Sequence, residues 1–162
     1  MEQAMIYGHE PIRMKIRDVF RELRRNGFTT TEPFIIGRNE KRMTDYASAN
    51  DITLGSKSLY FTSKSIAHAN RTSKERKRLT IPARSYEDFP FKRKRMDLYW
   101  DGDSFIYTDY KDKFIIKPNY EIKFKTTKNG KKHVKKRKVC LVTAGKVTNS
   151  NDFNNEKYHK VV

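Results

Sequence analysis

The sequence predicts an α+β protein: N-terminal helices precede a four- to five-stranded antiparallel sheet, a meander with a protruding basic β-hairpin. Before residue 50, apolar residues recur at spacings of three and four, which are typical of a helix. After residue 96 the spacing changes to two, the period of a strand. The dipeptide Asn129-Gly130, typical of a two-residue hairpin turn, separates the last two alternating segments.

These patterns divide the 162 residues into three parts. We assign a helical N-terminal region to residues 1–50, an α+β domain to 51–147 and a polar tail to 148–162. Because the tail is mostly polar, we expect it to be weakly ordered.

The N-terminal region begins with an amphipathic helix. Glu10 and Pro11 are expected to open it, since proline suits the first turn, and Gly27 is placed to end it. Residues 28–36 look extended, and Pro33 restricts them to a sheet edge or an interrupted strand.

Short elements are expected between this region and residue 96. Polar residues that can cap a helix precede two of them. The predicted elements are a helix at 39–49 capped by Asn39, a strand at 58–61, a helix at 62–70 capped by Thr62 or Ser63, a basic helical segment at 73–79, and a short segment that begins at Pro82 and ends before Pro90.

The sheet follows from the period-two segments. Residues 96–100 and 104–108 flank Asp101-Gly102-Asp103, which is typical of a hairpin turn. A third strand covers 114–116 and breaks at Pro118.

The last hairpin can be tested for register. Folding the chain around Asn129-Gly130 pairs Tyr120 with Val139 and Ile122 with Arg137. Tyr120, Ile122 and Val139 then share one face, as a single buried face requires.

The far end of this hairpin is strongly basic. Nine of the fourteen residues from 125 to 138 are Lys, Arg or His. A ribbon that polar cannot pack on a core, so we expect it to project into solvent and contact a phosphate backbone. The predicted nucleic-acid-binding residues are Arg71, Lys125, Lys128, Lys131, Lys132, His133, Lys135, Lys136, Arg137 and Lys138.

The overall charge indicates a polyanionic partner. The chain has 36 Lys and Arg against 19 Asp and Glu, a net charge of +17. Nucleic acid is favoured over a membrane, because no lipidation signal or bulky amphipathic basic helix is present. RNA is favoured over DNA by the metal-free chemistry described below. An acidic protein, either an inhibitor or a host target, remains an alternative, as does a basic protein whose charge only aids solubility.

Cysteine content and hydropathy indicate the compartment. The single cysteine, Cys140, excludes an internal disulfide framework and a four-thiolate zinc site. The first residues lack the basic and apolar regions of a signal peptide, and no apolar stretch reaches the roughly eighteen residues of a membrane span. We expect a reducing, cytoplasm-like compartment, the host cytoplasm if the protein is phage-encoded.

The residues favour metal-free chemistry if the protein is an enzyme. No dinucleotide fingerprint, phosphate-binding glycine loop or nucleophile elbow is present, and the histidines and carboxylates are not spaced as metal ligands, so no cofactor is expected. RNA can be cleaved by its own 2′-hydroxyl if the protein supplies a base, an acid and a cation. The candidate catalytic residues are His68, Tyr107, Lys123 and Thr143. Each also has a structural interpretation: a surface histidine, a core tyrosine, a solvated lysine or a strand threonine.

The order of elements resembles a known family. Residues 59–68 (LYFTSKSIAH) precede a charged stretch, then Ile81-Pro82 and the segment 86–90, and the later strands include 120–123 and 139–143. This order is similar to that of the phage-associated barnase/EndoU/colicin/RelE-like (BECR) nucleases, over about residues 58–147. In those proteins a short strand and a Ser- or Thr-started helix ending in His precede a linker and an antiparallel sheet.

The resemblance implies an α+β fold and metal-free ribonuclease activity, often toward tRNA or mRNA. It implies that His68 is an acid or base, that Lys123 holds the phosphate and that Thr143 lies near the scissile group. The chain departs from the family in two ways. Ala69-Asn70-Arg71 stands where members often have a second His-Pro element, and the basic hairpin is unusually long.

The leading hypothesis is therefore a small metal-independent ribonuclease of phage or mobile-element origin, a toxin or host-takeover factor. A non-catalytic nucleic-acid-binding protein is the main alternative, and a phage-encoded inhibitor or virion component that acts through its basic face is another. An enzyme should hold His68, Lys123 and Thr143 around one pocket with the hairpin at its rim. A binder should spread its charge over a continuous stripe.

Overall fold

The protein has an α+β fold built on one mixed sheet, as seen in a computed structural model. The structure describes residues 2–27, 29, 31–71 and 79–162, with side chains from residue 10 onward. The described helices are α1 Glu2–Asn26, α2 Lys41–Ala49, α3 Ser63–Ala69 and α4 Ala83–Lys92, with 3-10 turns at Arg93–Arg95 and Ser150–Asn154. The strands are β1 Phe34–Arg38, β2 Ser58–Phe61, β3 Asp97–Trp100, β4 Phe105–Thr108, β5 Asp112–Lys128, β6 Lys131–Lys146 and β7 His159–Val161. The basic segment predicted at 73–79 falls, apart from Leu79, outside the described residues.

The sheet has seven strands in the order β1-β2-β6-β5-β4-β3-β7. Neighbours are antiparallel except β2 and β6, which run parallel and pair Leu59 with Cys140. The α+β class is therefore confirmed, but the predicted four to five antiparallel strands are corrected to seven in a mixed sheet. The correction arises because β1 and β2 join β6 through a pairing between residues far apart in the chain, which local periodicity does not indicate.

The helices bury one face of this sheet. Ile16 of α1, Met43 of α2 and Ile66 of α3 are fully buried in a single cluster with side chains from the strands. Phe89 of α4 stacks on Phe114 of β5 with ring centroids 4.1 Å apart. Burial of each such side chain contributes about 1.5–3 kcal/mol, so this face holds the main core. None of the helices in the described residues is both long and apolar enough to cross a membrane.

The opposite face carries two smaller apolar clusters. One contains Tyr60, Ile122, Val139 and Leu141, with Phe124 packed against it. The other contains Tyr99, Ile106 and Phe153. Because side chains alternate along a strand, this face also receives Thr143, two residues after Leu141.

Three helix boundaries differ from the prediction. Pro11 lies inside α1 rather than at its start, since proline loses one N–H bond but its fixed φ is helical. Glu40, not Asn39, is the N-cap of α2, because the Asn39 amide instead donates to the Ser56 carbonyl at 2.8 Å. Helix α4 continues past Pro90 to Lys92.

The end of α1 and the capping of α3 agree with the prediction. Gly27 has φ +75°, the left-handed conformation that glycine adopts without strain, and its N–H donates to the Leu23 carbonyl at 2.9 Å. Thr62 caps α3.

The expectation of a weakly ordered tail is wrong. Residues 159–161 form β7, which pairs with β3 and places Val161 opposite Leu98. Phe153 is buried and stacks on Tyr99 at 5.1 Å. A few widely spaced apolar residues in a polar segment therefore suffice to add an edge strand.

The β5–β6 hairpin has the predicted register. Tyr120 pairs with Val139 and Ile122 with Arg137. Asn129 and Gly130 both have positive φ, 54° and 74°, as a two-residue type I′ turn requires. Strand β5 does not break at Pro118, since the register only shifts between Lys117 and Tyr120. Such a bulge bends a strand without ending it.

Beyond the bulge, the hairpin packs against the β1–β2 edge before it reaches solvent. Phe124 contacts Tyr60 edge-to-face at 6.0 Å, and the Lys125 N–H donates to the Glu32 carboxylate at 3.4 Å. Side chains from 125 to 138 are all exposed. The exposure of these side chains agrees with the predicted projection of 125–138 into solvent, while Phe124 supplies an apolar contact at the base of the hairpin.

Candidate active-site cleft

A cleft of about 530 Å³ opens at the base of the hairpin. Its walls come from the segment before β1, from α3 and its cap, and from β5 and β6. The lining residues are Thr29, Thr31, Glu32, Pro33, Thr62, Ser63, Lys64, Ser65, His68, Tyr120, Glu121, Ile122, Lys123, Lys125, Leu141 and Thr143. Its volume lies within the range of about 300–1,000 Å³ that is usual for ligand sites.

Helix α3 presents His68 to the cleft. The Ser65 N–H donates to Thr62 Oγ1 at 3.0 Å, and the Thr62 N–H donates to Ser65 Oγ at 3.3 Å, a reciprocal capping box. Ile66 anchors the helix in the core, while His68 is exposed on its last turn. Capping at one end and burial in the middle thus hold the imidazole in a defined place at the surface.

The two arms of the hairpin supply the facing wall. Lys123 of β5 is exposed, and the Thr143 hydroxyl of β6 donates to the Ile115 carbonyl at 3.5 Å. The structure therefore brings His68, Lys123 and Thr143 to one cleft from three separate elements.

Tyr107, the fourth predicted catalytic residue, does not reach this cleft. Its position on β4 points it to the helix-covered face, where it is fully buried. Its hydroxyl donates to the Glu40 carboxylate at 2.6 Å. Burial, and then the hydrogen bond to the Glu40 carboxylate, raise the pKa of Tyr107. Its place in the site is corrected to a place in the core, because alternation along β4 sends it to the opposite face from Thr143.

Sequence reasoning missed several residues of the cleft. Glu32 precedes β1, and no motif indicated that it would lie beside the Lys125 backbone. Glu121 and Lys123 alternate along β5, so their spacing could have placed both at one site. Tyr120 was assigned to the buried face, but half of its surface is exposed.

The cleft contains the groups that metal-free phosphoryl transfer needs. An imidazole and two carboxylates, from His68, Glu32 and Glu121, can accept or donate a proton. The ammonium groups of Lys64 and Lys123 can stabilise a phosphate as it gains charge.

The basic hairpin tip forms the rim. In the described part of the chain, no salt bridge includes a side chain between residues 125 and 138. Asp88, by contrast, pairs with Arg13, Arg84 and Lys92. The positive charge of the tip is therefore not neutralised from within the described structure.

The other predicted binding residues are also exposed. His133 lies near the tip, where it pairs with Thr126. Arg137 is stacked over Phe124, with its guanidinium carbon 5.2 Å from the ring centroid. Arg71 follows α3 and is exposed, but it does not line the cleft.

Comparison with protein-family models, curated proteins and solved structures found no match to this chain.

Proposed function

We propose that the chain is a small, metal-independent ribonuclease of phage or mobile-element origin, acting as a toxin or host-takeover factor. One observation carries the proposal: His68, Lys123 and Thr143 come from different elements and line the same cleft. The exposed cations of the hairpin tip border that cleft, so a phosphate backbone held by the tip would pass close to the three side chains.

In the proposed reaction the 2′-hydroxyl of a nucleotide attacks the adjacent phosphorus. A base removes the hydroxyl proton, the bond from phosphorus to the 5′-oxygen breaks, and an acid protonates that oxygen. The products are a 2′,3′-cyclic phosphate and a free 5′-hydroxyl. His68 serves as acid or base, with a carboxylate such as Glu32 available for the complementary role.

Lys123 is proposed to stabilise the phosphate. As the phosphorus becomes pentavalent its oxygens gain negative charge, and an ammonium group beside them lowers the barrier. Thr143 is proposed to lie near the scissile group. The relation to the BECR nucleases, the preference for RNA and a cytoplasmic site of action are parts of the same proposal.

A second candidate is a nucleic-acid-binding protein without catalysis. The observation in its favour is that the cations of the hairpin tip are exposed and form no salt bridge within the described residues. Binding through them alone does not need the cleft.

The deciding experiment is a cleavage assay in EDTA with total RNA and with purified tRNA. We expect the wild type to release discrete fragments that end in a cyclic phosphate, and His68→Ala to release none. His159→Ala is the matched control, since His159 is exposed on β7, which pairs with β3. Intact RNA with a salt-sensitive gel shift would overturn the enzyme and leave the binder. Intact RNA without a shift would favour an acidic protein partner.

A further inference from the structure

We propose that Tyr120 is a stacking platform for one unpaired base, so that the substrate is single-stranded RNA rather than duplex. This inference rests on the proposed function, because it assumes that the cleft receives RNA. It names the substrate class that the cleft selects.

The first support is the unusual setting of Tyr120. Its side chain is 50% exposed although it lies on the apolar face of the hairpin base. The other tyrosines on this face of the sheet have ring partners: Tyr60 contacts Phe124, and Tyr99 stacks on Phe153. Among the described residues, the Tyr120 ring has no such partner.

The second support is the packing beside the ring. Val139, directly opposite Tyr120 in the ladder, is fully buried, and Ile122 is nearly so. Because Val139 is the cross-strand neighbour of Tyr120, the ring stands beside a packed cluster that also includes Leu141. A half-exposed aromatic ring on a fixed support can accept a base without a large loss of conformational freedom.

The third support is the charge around the ring. Lys64, Lys123 and Lys125 line the same cleft as Tyr120. An aromatic surface beside cations is the combination that binds single-stranded nucleic acid, because every base has a face that can stack and every nucleotide carries a phosphate.

A duplex cannot use this surface. Its bases are stacked on one another, and the major groove of A-form RNA is too deep and narrow for side chains to read. The hairpin tip can contact the phosphates of either form, whereas only an unpaired base can turn out onto Tyr120. The cleft therefore discriminates between single-stranded and duplex RNA, whereas the hairpin tip does not.

The test measures binding with 2′-O-methyl RNA, which lacks the attacking hydroxyl and is not cleaved. A single-stranded oligonucleotide and the same sequence in a blunt duplex are titrated at one salt concentration. We expect Tyr120→Ala to raise the Kd for the single strand about tenfold and to leave the Kd for the duplex unchanged. Tyr120→Phe should keep wild-type affinity, since the ring remains.

Val134→Ala is the matched control, because Val134 is 59% exposed on the same hairpin but lies outside the cleft. It should leave both Kd values unchanged. Thermal unfolding of each variant shows that the fold is retained. Equal losses for single strand and duplex, or no loss for either, in Tyr120→Ala would overturn the stacking role.

The failure of this inference can be distinguished from the failure of the proposed function. If the wild type cleaves RNA in EDTA while Tyr120→Ala binds the single strand normally, the ribonuclease stands and the platform is wrong. If single-strand binding depends on Tyr120 but no RNA is cleaved, the platform stands and the catalytic proposal is wrong.

Discussion

The Tyr107 hydroxyl donates a hydrogen bond to the Glu40 carboxylate at 2.6 Å, which ties strand β4 to the N-cap of α2. Glu40 also lies 3.4 Å from Arg42, and Arg42 donates to the carbonyls of Arg93 and Met96. This network joins α2 to the turn before β3. These contacts indicate that Tyr107 contributes to the stability of the fold.

We therefore expect Tyr107→Phe to lower the free energy of unfolding by about 1–3 kcal/mol, since a partly buried carboxylate loses a donor. RNA cleavage should stay at the wild-type level. Urea denaturation and the cleavage assay measure the two effects. A loss of cleavage with unchanged stability would contradict this interpretation and would indicate a catalytic role for Tyr107.

Stability should fall in alkaline solution. Burial raises the pKa of Tyr86 and of Tyr107 above the ordinary value of 10.0. Above about pH 10 the unfolded chain loses these phenolic protons while the native state keeps them, so the unfolding free energy decreases as pH rises through the native pKa. Urea denaturation from pH 8 to 11 tests this. The unfolding free energy should decrease less steeply with pH in Tyr107→Phe than in the wild type. An identical slope in both proteins would contradict this prediction.

The hairpin tip should control the salt dependence of RNA binding. Six to ten phosphate contacts predict a loss of affinity of about a thousandfold or more between roughly 50 and 200 mM salt. Replacing Lys131, Lys132, Lys135 and Lys136 by Gln should reduce the slope of log K against log salt by about 3, at about 0.7 per contact for a single strand.

The control for this experiment removes the same charge elsewhere. Gln at the exposed positions Lys57, Lys94, Arg95 and Lys157 leaves the tip intact. We expect its slope to stay close to that of the wild type. Equal reductions in the two variants would indicate that net charge, rather than the hairpin, determines binding.

Gly55 should tolerate no larger side chain. A Cβ at this position would lie 2.7 Å from the Val139 nitrogen and 2.8 Å from the Lys138 carbonyl carbon, both backbone atoms of β6. We expect Gly55→Ala to cost about 1–3 kcal/mol of stability, because the strand or the loop must shift.

Gly145→Ala is the comparison, since the nearest atom to its Cβ would be the Lys113 Cε at 3.4 Å, on a flexible side chain. Its cost should be well below that of Gly55→Ala. Denaturation of both variants measures the difference, and similar costs would mean that the loop at Gly55 moves freely.

Local patterns predicted the hairpins well. Asn129-Gly130 requires φ values that few other pairs adopt, so one dipeptide determined the turn and with it the pairing of Tyr120 with Val139. The same turn placed Lys123 and Thr143 on the two neighbouring arms of the hairpin.

Contacts between distant segments could not be predicted in the same way. The parallel pairing of Leu59 with Cys140 depends on which strands meet, and no local period encodes that choice. Glu32 lies in the cleft beside the backbone of Lys125, which is 93 residues away along the chain. Tyr107 was misplaced because a tyrosine on a strand has the same local pattern whether it faces a cleft or a core.

The parallel pairing of β2 with β6 also has a consequence for timing. His68 leaves the ribosome well before Thr143, and the wall of the cleft that faces it does not exist until β6 has been synthesised and has docked beside β2. Pairings between such distant segments form late in folding. The proposed ribonuclease therefore assembles its cleft only after β6 has docked beside β2.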